Sequence, residues 1–378
     1  MLKYKITHEK IIKFIVILVL MCTYIIPTGI IDSKYQVSKI IFSIPILIIY
    51  IINLKRSSLK EWLLILVISF FVIYTKDFRY IIFLTLPFLN KIIENKEFII
   101  KYINSSNILY ICLGFTFFYS IIFWGTNGRY AFTAIKEINQ SGLAIFCLGV
   151  MLMKKNKKIG ILTLFFGLLT ISRSYFIAII LYFLSNIKFI KRIVKNWMIK
   201  FCNYINLTIL SNIGLIILGV FYLYQYKIGN IYWGDDISTR LYTFLDYSNF
   251  FRFVMIIILL QIFIKQPKTL LFGMETNEYI SIGKEIATEW NIPYKYIVPH
   301  NLFFSHLKIY GVFSFVETFY INSILRKIVN KNNIFIYLAI FLYSVLLGAG
   351  LYSYWLYLTV FTLLLYEKDY NGKEEKCE

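Results

Sequence analysis

The sequence predicts an all-α fold: a polytopic membrane helix bundle of about twelve transmembrane helices. It reads as one integral domain over 1–378, with a single large extracytoplasmic loop at 227–300. Three observations predict this. Of 378 residues, 59% are hydrophobic and only 16% charged, which is more apolar surface than a soluble core of this length can hide. The apolar residues come in runs near the length of a span, about 20 residues with a range of roughly 17–25. The Lys and Arg residues fall in short clusters between those runs. Because the clusters form no continuous soluble face, the net charge of +20 marks membrane topology and excludes a nucleic-acid partner.

Taken in order, the first run follows lysines at 3, 5, 10 and 13 and resembles a signal peptide. No small-residue cleavage site follows it, so 11–31 reads as a retained span. The runs 37–54, 61–76 and 78–93 come next, the first of them closed by Lys55 and Arg56. Lys91, Lys96 and Lys101 precede 106–124, and Lys154, Lys155, Lys157 and Lys158 follow 138–153. Two short runs, 158–171 and 174–188, end at the basic stretch Lys188, Lys191, Arg192, Lys195 and Lys200. Then come 205–226, the long connection, 301–325, 333–347 and 349–366, with Arg326, Lys327 and Lys331 between the spans at 301–325 and 333–347. The alternate connections are poorer in basic residues, holding Lys34 and Lys39, then Lys76 and Arg79, then Arg129 and Lys136. Strict alternation by the positive-inside rule puts both termini in the cytoplasm.

Within the long connection, "FFRFVMIIILLQIFI" (250–264) is apolar but short. If it spanned, "RKIVNKNN" (326–333) would turn outward against the charge rule, so it reads as an interfacial or re-entrant helix at the outer surface. There is no tandem repeat. The five cysteines show no C-x-x-C or ligand spacing, which leaves no disulfide framework and no zinc site to expect.

Chemistry-bearing residues stand out against this apolar background. Arg173 is the only charged residue in the 29 residues from Ile159 to Ile187. The basic clusters on both sides belong in the cytoplasm, so the chain between them goes out and back as a hairpin. Each arm of about 14 residues gives roughly 21 Å against a hydrocarbon core near 30 Å, which leaves Arg173 at the tip below the outer surface. Snorkelling toward headgroups is the alternative reading. Arg240, in "DDISTRLYTF", is a diphosphate-binding candidate or a surface arginine paired with Asp236 or Asp246. Adjacent acids at 235–236 are too few ligands for a divalent ion. His300, in "VPHNLFFSHLKIYG", stands at a helix start beside Asn301. His306, six positions on, lies roughly 240° around a helix and shares no face with it, so it reads as structural. Glu317 lies about 25 Å along its helix from His300, too far to join it, and reads as a structural or ion-coupled residue. Arg252 adds a further guanidinium on the outer side. Two arginines and a titratable imidazole facing one leaflet are the groups needed to hold a diphosphate and deprotonate a sugar hydroxyl.

"SRSYFIA" after a short apolar arm, "STRLYTF" early in the long loop, "LLFGMETNEYI" (270–280) and "PHNLFFSHLKIYG" entering a span resemble the O-antigen polymerase and ligase family, the Wzy- and WaaL-type enzymes. The resemblance covers roughly residues 135–350 and rests on the order of the motifs; Gly273 lacks the second glycine often seen in the loop element. It implies a GT-C-like all-α glycosyltransferase whose donor and acceptor are undecaprenyl-diphosphate-linked glycans, with no cofactor and no metal. Carried over by motif, Arg173 and Arg240 would neutralise the diphosphate, and His300 would act as, or orient, the base, with inversion at the anomeric carbon. Arg173, Arg240, Asn301 and Arg252 would bind diphosphate and glycan. Membrane lipids, a polysaccharide chain-length regulator and a flippase are the implied neighbours, in the bacterial cytoplasmic membrane. Polymerisation of repeat units is the leading expectation. A ligase shares the chemistry, and a flippase would need polar residues through the full membrane depth and, often, two related halves.

Overall fold

A computed structural model describes residues 8–26, 41–46, 48, 63, 65–70, 73, 83, 85–122, 138–170, 172–234, 243–294, 301–347 and 353–367. Among them every regular element is helical, and the one β-type pairing is an isolated bridge between Tyr232 and Asp246. The expected all-α class is therefore observed. The chain divides into two compact units, Met1–Lys200 with Ser323–Tyr343 and Ala349–Glu378, and Phe201–Asn322 with Ser344–Gly348.

Asparagine or aspartate side chains cap four of the described helices. The side chains of Asn156, Asn203, Asp246 and Asn301 each accept a hydrogen bond from the backbone N–H three residues on, at 3.2, 3.0, 2.8 and 3.0 Å. Each satisfies a donor that the first helical turn would leave orphaned.

The first unit is built around Ile138–Lys155, whose residues 141–152 are all buried. A helix apolar on every side belongs inside a larger body. Tyrosines from other segments satisfy its backbone, the Tyr24 hydroxyl donating to Ala144 O at 2.7 Å and that of Tyr366 to Val150 O at 2.9 Å. Asn156 ends this helix and caps the next, Lys157–Phe166, which returns antiparallel: Gly149 faces Leu164, and Gly160 faces Met153. A Cβ on Gly160 would lie 2.4 Å from Met153 N, so the helices touch backbone to backbone.

In the second unit, Tyr204–Lys227 and Tyr247–Lys265 form an antiparallel hairpin, with Tyr222 on Phe253 and Tyr226 on Phe250, both at 5.2 Å between ring centroids. Their 24 and 19 residues give about 36 and 28 Å of helix, near the thickness of a hydrocarbon core. Among the described residues these two helices are long and apolar enough to cross a membrane, or three with the Lys96–Ser105 and Ile108–Ile122 pair, bent by 61°. Other apolar runs form shorter helices, such as Arg173–Leu184 and Ile334–Leu347. Only 22% of the apolar window of Tyr204–Lys227 is buried, and Leu210, Ile217 and Val220 stand open on it. Such a face is unfavourable in water and consistent with lipid.

Two expectations change here. The run 250–264 belongs to a longer helix than expected, because the Asp246 cap adds a turn at its start. By length and composition that helix is able to cross. The chain then returns along the amphipathic helix Thr276–Glu289, which buries Tyr279, Gly283, Ile286 and Ala287 and turns Lys284, Glu285 and Glu289 outward. Lys265 Nζ reaches Glu289 at 2.6 Å, and the Tyr226 hydroxyl donates to Asn291 O at 3.3 Å. The second change is at 301–325, expected as one span. It is two helices, Leu302–Tyr310 and Phe313–Ile328, broken at Gly311.

Candidate functional site

Two places hold the chemistry, one in each unit. In the first, Arg173 opens the helix Arg173–Leu184, with Ser172 at the N-cap and a 3-10 turn, Gly167–Thr170, just before. The Tyr175 hydroxyl donates to Leu164 O at 2.7 Å, tying the returning arm to the outgoing one. Tyr175 also lies beside Gly142, and Tyr182 beside Phe146 and, through Tyr366, Val150. The returning arm thus runs in the direction of Ile138–Lys155 and against Lys157–Phe166. The expected hairpin is present, and Arg173 lies at its tip, away from Lys154–Lys158. Arms of 10 and 12 residues give only about 15 and 18 Å. Arg173 is exposed on the surface of its unit.

In the second unit, Asn301 is 3% exposed and its side-chain oxygen caps Leu302–Tyr310 by accepting from Phe304 N. Arg252 is half-buried in the second turn of Tyr247–Lys265. Arg240 and His300 lie outside the described residues.

The break between Leu302–Tyr310 and Phe313–Ile328 is a built feature. Gly311 has φ +54° and Gly273 φ +74°, a region that L side chains rarely adopt. A Cβ on Gly311 would lie 2.4 Å from Leu271 O, and one on Gly273 2.2 Å from Ile309 O. Met274 N donates to Lys308 O at 2.8 Å and Val312 N to Leu271 O at 3.2 Å, so the 271–274 segment takes up carbonyls and donors that the broken helix would otherwise lose.

Across that break His306 meets Glu317, Nδ1 to Oε2 at 2.5 Å, with the two side chains 9% and 7% exposed. The Tyr310 ring stands edge-on to the imidazole at 5.3 Å. Lys308, 1% exposed, places its ammonium over the Tyr279 ring at 4.4 Å. A carboxylate against Nδ1 fixes the imidazole tautomer and orientation, the arrangement that prepares a histidine for proton transfer.

Sequence reasoning missed this pair. It placed His306 as structural because it shares no face with His300, and set Glu317 against His300 alone, along a helix taken as continuous over 301–325. The available signal was an acid within an apolar run six residues after a glycine. Among the described residues no group of three or more His, Cys, Asp and Glu is arranged to hold a metal. In comparisons with known proteins, no family model, no characterised protein and no solved structure matches the chain.

Proposed function

We propose that this chain is a glycosyltransferase of the bacterial cytoplasmic membrane that polymerises undecaprenyl-diphosphate-linked repeat units into surface polysaccharide on the outer face. In this reading it is a bundle of about twelve spans with both termini in the cytoplasm. The observation that carries the reading is the placement of Arg173 as the first residue of a helix. There the backbone N–H groups already form the positive end of the macrodipole. A guanidinium adds charge of the same sign, and an anion at that point offsets both. The short arms keep this positive site below the membrane surface, so the anion that fits is one carried on a lipid, a polyprenyl diphosphate.

The order of the motifs supports the same assignment. Arg173 and Arg240 neutralise the leaving diphosphate, Arg252 and Asn301 contribute to binding diphosphate and glycan, and His300 acts as, or orients, the base. Paired guanidinium forks supply the charge that a divalent ion supplies in other diphosphate chemistry.

A second reading, a flippase for the lipid-linked unit, is favoured by the break at Gly311 and the buried ionisable pair across it, since discontinuous helices carry the sites of many transporters. The glycan phenotype of a deletion separates the readings. Loss of a polymerase leaves single repeat units, loss of a ligase leaves full-length unlinked chains, and loss of a flippase leaves no extracellular repeat.

A further inference from the structure

We infer that the bend between the helices Lys96–Ser105 and Ile108–Ile122 is a binding site for an anionic phospholipid of the cytoplasmic leaflet, its phosphate held by Lys155, Ser106 and the first N–H groups of the second helix. The leaflet follows from the membrane orientation proposed above, and no step of the polymerase reading enters. Every residue of the site belongs to one compact unit.

The two helices meet at 61°. Lys96–Ser105 buries Ile99 and Ile103 and turns Glu97, Lys101 and Ser105 outward, the pattern of an amphipathic helix lying along a membrane surface. Ile108–Ile122 carries no charged residue and exposes Ile111, Phe118 and Ile122 along one side, a stripe on which acyl chains can lie. That stripe starts at the bend and selects a lipid over a free phosphate.

The bend itself supplies the polar half of the site. The side-chain oxygens of Asn104 and Ser106 are buried and have no hydrogen-bond partner among the described residues. The Lys155 ammonium donates to the Ser106 carbonyl and stands over the Tyr110 ring at 4.8 Å, so it is fixed beside the residue whose hydroxyl is orphaned. Tyr110 N and Ile111 N both donate to Asn107 O, at 3.0 and 3.1 Å. The N–H groups of Ile108 and Leu109, just before them, carry the positive end of a 15-residue helix. A phosphate accepts from the ammonium, from the helix start and, after rotation about one bond, from the Ser106 hydroxyl. Lys101 stands one turn before Ser105, and Lys157 and Lys158 follow Lys155. Glu97 lies two turns back, so positive charge is in excess at the bend and favours a lipid of net negative charge over a zwitterionic one.

The test uses the purified full chain, stripped of lipid in nonionic detergent, with three probes: phosphatidylglycerol, phosphatidylcholine of the same acyl chains, and inorganic phosphate. Thermal unfolding and lipid retention in native mass spectrometry are the readouts. Phosphatidylglycerol is expected to raise the melting temperature and to be retained, and the other two to do neither. Lys155→Gln is expected to bind it about ten- to hundred-fold more weakly, because a charged hydrogen bond is lost. Ser106→Ala gives a signature that a structural role would not. Removing an orphaned buried hydroxyl leaves melting without lipid unchanged or raised, while phosphatidylglycerol binding falls about two- to ten-fold. This variant decides the matter even if Lys155→Gln fails to fold. Equal retention of the two phospholipids overturns the site, as does parental binding by Ser106→Ala or by a folded Lys155→Gln. A loss of stability in Ser106→Ala already present without lipid also overturns it, since the hydroxyl would then have a structural partner. Stabilisation by inorganic phosphate as strong as that by phosphatidylglycerol marks a soluble-anion site and overturns the lipid assignment. No polymer is measured, so failure here leaves the polymerase reading standing, and failure of that reading leaves this site standing.

Discussion

His306 Nδ1 lies 2.5 Å from Glu317 Oε2, and the contact joins two helices across a glycine whose φ is +54°. On an unbroken helix residues 306 and 317 would be three turns apart, about 16 Å. The pairing therefore belongs to the break, and the break belongs to Gly311 and Gly273 packed against each other's neighbours.

Gly311→Ala or Gly273→Ala is accordingly expected to destabilise the protein by more than about 1 kcal/mol, since each adds a Cβ where φ is positive. The new atom would also lie within 2.4 Å of a carbonyl oxygen. Thermal unfolding in detergent measures this. Unchanged melting for both variants would show that the break does not depend on the glycines.

Arg173→Lys and Arg240→Lys are expected to lose most polymer while the protein accumulates normally, because a lysine ammonium lacks the planar fork that matches phosphate oxygens. Polymer length on gels at matched membrane levels is the readout. Near-parental polymer from the double variant would make both arginines ordinary interfacial charges.

Asn301 separates two roles in one residue. Its side-chain oxygen caps Leu302–Tyr310, and aspartate caps as well as asparagine, whereas alanine costs about 0.5–2 kcal/mol. Asn301→Asp is expected to keep stability but to lose elongation if the amide contacts glycan. Full elongation by Asn301→Asp would reduce the residue to a cap.

Reporters fused at Asn156, Asn196 and Asn330 are expected to read cytoplasm, and those at Gly229 and Asn291 the exterior. The structure adds a reason for the last two to agree, since Tyr226 donates to Asn291 O beside Gly229. Asn156 and Asn196 on opposite sides would remove the hairpin argument for Arg173.

The hairpin at Arg173 was legible because its signals are local: basic clusters at both ends, too few residues between them for two full spans, and small polar residues at the turn. The helix Tyr204–Lys227 was legible for the same kind of reason, a continuous apolar run. The break at Gly311 was not, because a lone glycine is unremarkable in an apolar helix and its positive φ is fixed by the distant segment 271–274. With the break unseen, His306 and Glu317 could not be joined. The full length of Tyr247–Lys265 was missed because its first turn, "YSN", is polar and is made helical by the Asp246 cap.

The most direct test of the central claim uses the purified chain alone, in vesicles, with the repeat unit isolated on its undecaprenyl diphosphate carrier from a deletion strain. The expected result is a ladder of products growing by one repeat at a time, with undecaprenyl diphosphate released at each step and the ladder lost in Arg173→Lys. A donor that stays a single repeat while the protein is folded and correctly inserted would contradict the assignment.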